Sequence, residues 1–579
     1  MRKSWTARIC WTLGVAAALY GAAPGQAQQL LPPVPADVNQ RLERLEKLNE
    51  TLLKQNQELK QEINGLKVHE TSVSTGVDKA EVQSIVSQYL QQQADKAKTE
   101  KKSEWYQVGT DLKMAASWKN GVSFNTPNDD FSLHVGGWVH YDNVFWTQSP
   151  FLAKAKGGNP SLGGQGVVSG EPLGGIGGLQ DGTSFRRERL MLDGKFWENY
   201  EYTLIWAFEN DQFNLAGVDE FWVGATKIPF IGTVRVGHVK NAIGLEADMT
   251  GSSRTMTFME RSSYSEAIEL NQNFLTGVWI GNNYLDQHAT STLVLGRYDP
   301  KSSTGAYFGD GQWGVQGRLT ALPIYENDGR CLVHLGLSGG LRENQLDRSK
   351  SFLKTASVSA RPELRDDTPP GGFQNGNSNA MVATGTLDSP RTMLFGTEFL
   401  YIRGPFSVQA EYGWLHLSNA TGVGNPQTLK FAAAEDYNFN GGYIQLAYTL
   451  TGEHRSYDKR LGRLDSYYFG RKGQLHNAFF VRDEGGRLNW SAGVWELAAR
   501  YSYVDLNDGA KATYVQGGKM DGLSIGLNWF LNDNLKVQFD WIYDHRYALP
   551  TTLVGAPTPA NSSMPGQTQG FGVRVQFMF

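Results

Sequence analysis

Cysteine is scarce in this sequence: Cys10 and Cys331 are the only two among 579 residues. If the first is lost with an export signal, the second has no partner, so no intramolecular disulfide braces the fold. Long apolar runs are missing too. Beyond the extreme N-terminus nothing approaches the ~18 consecutive apolar residues of a spanning helix, and a mean hydropathy of −0.40 is too polar for a helical bundle in lipid. There is no basic excess; a formal charge of −4 argues against bulk affinity for nucleic acid. Catalytic signatures are likewise lacking. His134, His140, His238 and His334 fall on strand-like stretches with no HExxH pair, no GxSxG occurs on a strand-to-helix turn, and the glycines at 164–182 lack the GxxxxGK[ST] that cradles a phosphate. No enzyme, cofactor or metal site is expected.

The N-terminus reads as a signal peptide over 1–27: basic "MRKSWTAR", apolar "ICWTLGVAAALYGAA", then small Gly25 and Ala27 at the cleavage site. Removing Arg2, Lys3 and Arg8 takes the net charge from −4 to about −7. Residues 37–67 carry a heptad seam: Leu42, Leu45, Asn49, Leu52, Asn56, Leu59, Ile63 and Leu66 alternate steps of three and four. Asn49 and Asn56 occupy a positions, where a buried amide fixes register and strand number. A parallel coiled coil is the functional reading, and a lone amphipathic helix the alternative. Residues 68–104, polar and rich in Gln and Lys, form a linker.

From residue 105 to 579 the period becomes two, in a chain with 66 glycines and 12% aromatics. In "LKVQFDWIYD" Leu535, Val537, Phe539, Trp541 and Tyr543 oppose Lys536, Gln538 and Asp540; "FSLHVGGWVHYDNVFW", "LSIGLNWF" and "VWELAARYSY" alternate likewise. A soluble sandwich also alternates, with shorter strands. Connection lengths decide for a barrel. Tight "FWENY", "KIPF", "RGPF" and "LNDN" alternate with long segments at 147–182, 240–272, 342–390, 418–438, 505–521 and 547–569. Short turns on one side and long loops on the other are the mark of a transmembrane barrel. About sixteen antiparallel strands result, the last being "GFGVRVQFMF", whose Val573, Val575, Phe577 and Phe579 look at lipid while Arg574 and Gln576 look inward. The fold class is therefore all-β: a transmembrane barrel in the outer membrane, in contact with its lipid, behind a periplasmic coiled coil. One connection breaks the alternation, the forty-odd residues between "GGYIQLAYTL" and "GVWELAARY" on the short-turn side.

Seven stretches in the same order resemble the phosphate- and pyrophosphate-selective porin O and P family. They are "FRRERLMLDGKFWENYEYTL", "TFMERS", "ARPELR", "GTEFLYIRGPFSVQAEYGW", "GGYIQLAYTLTGEHRSYDK", "GVWELAARYSYVDLND" and "GLSIGLNWFLNDNLKVQFDW". The resemblance implies a sixteen-stranded homotrimeric barrel narrowed by inward-folded basic segments: the loop after the fifth strand, the fifth long loop, and one long periplasmic turn that corresponds to the irregular connection here.

The same segments carry the basic residues. An anion that sheds water in a narrow pore needs fixed cations, and the Arg fork matches phosphate. The loop at 240–272 holds Lys240, Arg254 and Arg261; the fifth long loop Arg361 and Arg365; the turn Arg455, Lys459, Arg460, Arg463, Arg471 and Lys472. Strand parity points Arg187, Arg189, Arg235, Arg318, Arg500 and Arg574 into the lumen. Passive diffusion of small anions, phosphate or polyphosphate, is the expected function. Glu246, Asp248, Glu260, Glu266, Glu269, Asp366 and Asp367 share those loops, so a general or weakly cation-preferring pore is the alternative. A surface adhesin or structural outer-membrane protein is a third class. The coiled coil offers either pre-association of three chains or contact with the cell wall.

Overall fold

The computed structural model describes residues 108–579 apart from 119, 154–174, 209–216, 241, 248–253, 270–273, 299–311, 348–352, 366–379, 423–433, 466–467, 470–477, 483–486, 510–514 and 548–564. The expected signal peptide, coiled coil with Asn49 and Asn56, and linker lie outside the described residues, as do Arg471, Lys472, Asp248, Asp366 and Asp367.

Sixteen long strands form the wall. In chain order they are β1 (Ser132–Gln148), β2 (Gly182–Phe196), β3 (Tyr200–Ala207), β4 (Gly217–Ile228), β5 (Gly232–Lys240), β6 (Phe274–Tyr284), β7 (Ala289–Tyr298) and β8 (Trp313–Glu326). The second half comprises β9 (Cys331–Glu343), β10 (Arg391–Arg403), β11 (Phe406–Gly422), β12 (Glu435–Thr449), β13 (Val494–Asp508), β14 (Val515–Phe530), β15 (Leu535–Arg546) and β16 (Gly566–Met578). Each pairs antiparallel with its neighbours, and β16 pairs with β1 from Thr568↔Gln148 to Met578↔Trp138. Closure leaves no sheet edge, the condition for a β structure to sit in hydrocarbon. Phe579 completes the seam: its amide and carbonyl exchange hydrogen bonds with Gly137 at 3.0 and 2.7 Å.

The period of two is read out as a reversal of the usual inside and outside. Leu337 is 50% exposed and Phe577 45%, while Arg574 and Gln576 on the same ladder are 1% and 0%. Apolar side chains cover the outer face and polar ones the inner, which is stable only where the outer solvent is lipid.

Connections alternate as expected. Six are two to four residues long, at 197–199, 229–231, 285–288, 327–330, 404–405 and 531–534. The β8–β9 turn shows the chemistry: Asn327, Asp328 and Gly329 take φ of 51°, 56° and 85°, left-handed values that these residues tolerate best. The opposite end carries the long loops, and the β12–β13 connection (450–493) is the long exception on the short-turn side. Two expected loops are corrected. At 418–438 the strands continue to Gly422 and resume at Glu435, and at 505–521 they run to Asp508 and resume at Val515. There the barrel wall rises above the lipid band, so its outer face turns polar, with Asp505 and Asn507, and reads as loop although the ladder persists.

Candidate permeation site

Side chains alone do not fill a barrel of sixteen strands, so selectivity must come from what folds into the lumen. The β5–β6 loop crosses to the far wall. The amides of Leu245 and Glu246 donate to the Glu411 carboxylate on β11 at 2.5 and 2.9 Å, and the amide of Met259 donates to Asp540 on β15 at 2.6 Å. Asn528 on β14 and Gln538 on β15 both donate to the Thr257 carbonyl, at 2.8 and 3.1 Å. A π-helical turn, Ser265–Glu269, follows Tyr264, which is seated against Gly396, Gly413 and Gly441, aligned across β10, β11 and β12. A Cβ on Gly413 would stand 2.6 Å from the tyrosine oxygen, so glycine makes the socket.

Charge pairs close this seam. Arg574 forks onto Asp142 with both bonds at 2.7 Å and reaches Glu260 at 3.2 Å. Arg186 forks onto the same Glu260 at 2.7 and 3.0 Å. Arg500 forks onto Glu363 of the β9–β10 loop (344–390) at 3.0 and 2.7 Å. Arg361 and Arg365 clasp Glu266 at 2.7 and 2.9 Å, tying the two loops together. Burial alone would raise Glu266, but the two guanidiniums outweigh it and hold the carboxyl at about 2. Burial and the charge of Arg361 draw Arg365 down to about 10. Glu269 behaves oppositely: burial, then the nearby Glu411 carboxyl, push it well above the usual range.

The β12–β13 turn is the third inward segment. Arg318 forks onto Glu398, its Nη2 2.7 Å from Oε2, and also donates to the Gly462 carbonyl at 3.0 Å. His334 meets the Tyr457 hydroxyl at 2.8 Å. The hairpin of Tyr457–Asp458 with Arg463–Leu464 is thereby pinned against β8 and β9. Arg455 donates to the Thr257 hydroxyl at 2.6 Å and lies 4.0 Å over the Tyr468 ring, joining the turn to the β5–β6 loop.

Among the described residues, part of the wall from β2 to β7 borders open space. Between it and the inward segments lies a cavity of about 510 Å³ lined by Lys195, Arg235, Lys240, Arg254, Arg460 and Arg463 together with Asp193, Glu201, Glu220 and Asp458. Register orders its levels. Lys195, Glu201, Gly224, Arg235, Trp279 and Val294 align across six strands near the short-turn end; Asp193, Thr203, Trp222 and Gly237 form the next row. The Arg235 guanidinium lies between indoles, 4.1 Å from Trp222 and 4.5 Å from Trp279, and pairs with Glu201 at 2.9 Å. Arg460 and Arg463 come close enough for their charges to oppose that of Arg235. Like charges gathered at a wet surface repel one another.

The basic residues nominated from sequence therefore divide. Lys240, Arg254, Arg460, Arg463 and Arg235 line the cavity. Arg361, Arg365, Arg455, Arg318 and Arg500 hold the inward segments, and Arg261 donates to the Glu246 carbonyl at 3.4 Å. Lys459 sits 4.7 Å over Tyr325. On β2, Arg189 pairs with Asp219, and Arg187 donates to the Arg186 carbonyl at 2.7 Å. Parity reasoning missed Arg186. A register shift opposite His140 and Tyr141 turns it into the lumen beside Arg187. The signal was in "FRRERL": strict alternation would put Arg186 in lipid at a cost of roughly 2–4 kcal/mol, so two adjacent arginines call for a bulge. Trp222 and Trp279 were also missed, since inward aromatics carry no mark in an alternating pattern.

The family model for phosphate-selective porin O and P matches residues 176–579. The chain belongs to this family. It is 24% identical over 485 residues to Porin O of Pseudomonas aeruginosa, covering 80% of this chain and 91% of that one. It is also 25% identical over 382 residues to an uncharacterized protein of Caulobacter vibrioides, 64% of this chain and 65% of the other. Among solved structures, the anion-selective porin from Comamonas acidovorans is similar at 10% identity and a TM-score of 0.41, over 78% of this chain and 100% of that one. This porin is a channel protein of the outer membrane, in keeping with the family and the lipid-adapted barrel.

Proposed function

We propose that this porin passes small anions, with a preference for phosphate or polyphosphate, through the cavity on the β2–β7 side. The observation that carries the reading is the cluster of Arg235, Arg460 and Arg463 with Lys240 and Arg254 around one cavity of about 510 Å³; the family's description supports phosphate as the solute. Lys240, Arg254 and Arg460 act as weak successive sites, Arg235 as a cation held flat by two rings, and the clasp at Arg361 and Arg365 sets the loop position. Weak repeated sites let an ion leave as readily as it enters. The porin works as a homotrimer exported by its signal peptide, with the coiled coil on the periplasmic side.

Asp193, Glu201, Glu220 and Asp458 in the same cavity favour a second reading, a general or weakly cation-preferring pore. The reversal potential of the purified protein in a planar bilayer under a KCl gradient separates the two. The anion reading expects a value on the chloride side and current blocked by millimolar phosphate. A near-zero or cation-side value, insensitive to phosphate, overturns it.

A further inference from the structure

The second half of the β12–β13 turn does not enter the lumen. Phe479–Arg482 and Leu488–Trp490 pair as a two-stranded ribbon. Its root is tied to the short-turn rim, the Phe479 amide donating to the Leu531 carbonyl at 2.7 Å and the Ser491 hydroxyl to the Ala478 carbonyl at 2.6 Å. A ribbon of two strands has no core, so in water its side chains should be polar. They are the reverse: Trp490 is 66% exposed, Phe480 54%, Val481 41% and Leu488 38%.

Local backbone gathers the rings on one side. The register shifts between Phe479 and Val481, and Phe480 adopts a φ of 58°, a left-handed value that a bulky side chain rarely takes. Successive side chains of a regular strand point apart; here the rings of both Phe479 and Phe480 reach Trp490, at 6.1 and 4.8 Å. Phe479 also stands edge-on to Trp529 at 5.4 Å, and Trp529 stacks on Trp495 at 5.1 Å. Both indoles donate to the Ala492 carbonyl at the ribbon's root, at 2.9 and 2.8 Å. Trp495 and Trp529 share the outward parity of Leu497 and Ile525, so the aromatic cluster continues the lipid-facing surface past the lower edge of the barrel. Beyond the rings the sequence turns polar, "RDEGGR", with Arg482 and Arg487 exposed.

We infer that this ribbon is an interfacial anchor, with Phe480, Val481, Leu488 and Trp490 seated in the glycerophospholipid layer on the periplasmic side of the outer membrane. Short turns mark that side, aromatic rings favour the depth between acyl chains and headgroups, and the arginines meet the headgroup phosphates. The anchor depends on the barrel's orientation and not on which ions pass. It would also steady the half of the turn that pins the lumen hairpin.

The test uses the full chain with Cys10→Ser and Cys331→Ser, an environment-sensitive fluorophore attached at Phe480→Cys, and reconstitution into phosphatidylethanolamine–phosphatidylglycerol vesicles. Leu488→Cys on the partner strand repeats it, should the label disturb the bulge at Phe480, and Arg460→Cys in the cavity is the aqueous reference. A blue-shifted emission that is lost to a phospholipid bearing a nitroxide just below the headgroup, and spared by iodide, is the expected result. Quenching by iodide but not by the nitroxide lipid overturns the anchor by placing the ribbon in water. A blue-shifted label reached by neither quencher overturns it too, since a second copy of the chain then covers the ribbon.

Discussion

Arg574 on β16 and Arg235 on β5 both point into the lumen, yet they sit in different chemistry. Arg574 is 1% exposed, with its fork on Asp142, a further bond to Glu260, and the carbonyl of Met259 as another acceptor. Arg235 is 12% exposed, lies flat between two indoles, and has two further guanidiniums for neighbours. A charge pair sealed from water interacts several times more strongly than one beside water, but it cannot exchange its partner for a passing ion. Arg574, Arg500 and Arg186 thus use their charge to fix loops, whereas Arg235 borders the cavity. Counting basic residues in a porin loop is therefore a poor guide to selectivity; what matters is whether a carboxylate from another inward segment already holds each one.

The sharpest way to break this contrast is to remove a sealed arginine. Arg500→Leu leaves Glu363 buried with only hydroxyl and amide donors, from Ser502, Ser524 and Ser263. Breaking one side of a buried pair costs about 3–5 kcal/mol, and the β9–β10 loop should lose its anchorage. The expected outcome is a large drop in the temperature at which the folded band disappears in heat-modifiability gels. Arg500→Leu with Glu363→Gln should recover part of the loss, because the Glu363 charge is gone while Glu246, which Arg500 also reaches at 3.3 Å, remains. Equal losses in the single and double variants would mean that Arg500 acts through packing, for instance over the Phe258 ring 4.5 Å away.

On the open side the same kind of substitution should leave stability alone and change permeation. Arg460 is exposed, so Arg460→Ala should melt like the parent. A unit charge beside water contributes about 1 kcal/mol at contact distance, which corresponds to roughly a fivefold fall in anion occupancy. Arg460→Ala should thus shift the reversal potential toward the cation side, and adding Arg463→Ala should shift it further as Glu201, Glu220 and Asp458 become dominant. An unchanged reversal potential in the double variant would move the selective step elsewhere in the lumen.

Much of this contrast could be read from the sequence, though not its division. Alternation and the rhythm of tight and long connections yield sixteen strands, because lipid and lumen impose opposite demands on successive residues and each violation is costly. The three inward segments are expected from the family resemblance, and the basic stretches fall on them. Pairing is not. That Arg500 meets Glu363 while Arg235 meets two tryptophans follows from how the β5–β6 and β9–β10 loops pack, through contacts 137 residues apart in the first case. Where side chains follow the ladder, parity holds until a bulge intervenes, as at Arg186. Where the outer wall leaves lipid, as at Asp505, polarity no longer distinguishes strand from loop.

The smallest expected effect lies in the pH response of the sealed side, where two carboxyls of the β5–β6 loop should fail in opposite directions. Glu266 is held at about 2, below its ordinary 4.5, so its clasp on Arg361 and Arg365 is fully present above the ordinary value and is lost only as pH falls through about 2. Glu269 is raised well above 4.5 by burial and by Glu411, so its contribution is complete in acid and is lost as pH rises through that elevated value. Single-channel conductance should therefore stay nearly level from neutral pH down to about pH 4, where Glu266 is still charged. A rise through that elevated value should loosen the π-helical turn and increase current noise. Glu269→Gln keeps the neutral form at every pH and should abolish that change while sparing the acid plateau. If Glu269→Gln keeps that noise, another group titrates there and Glu269 does not govern the turn.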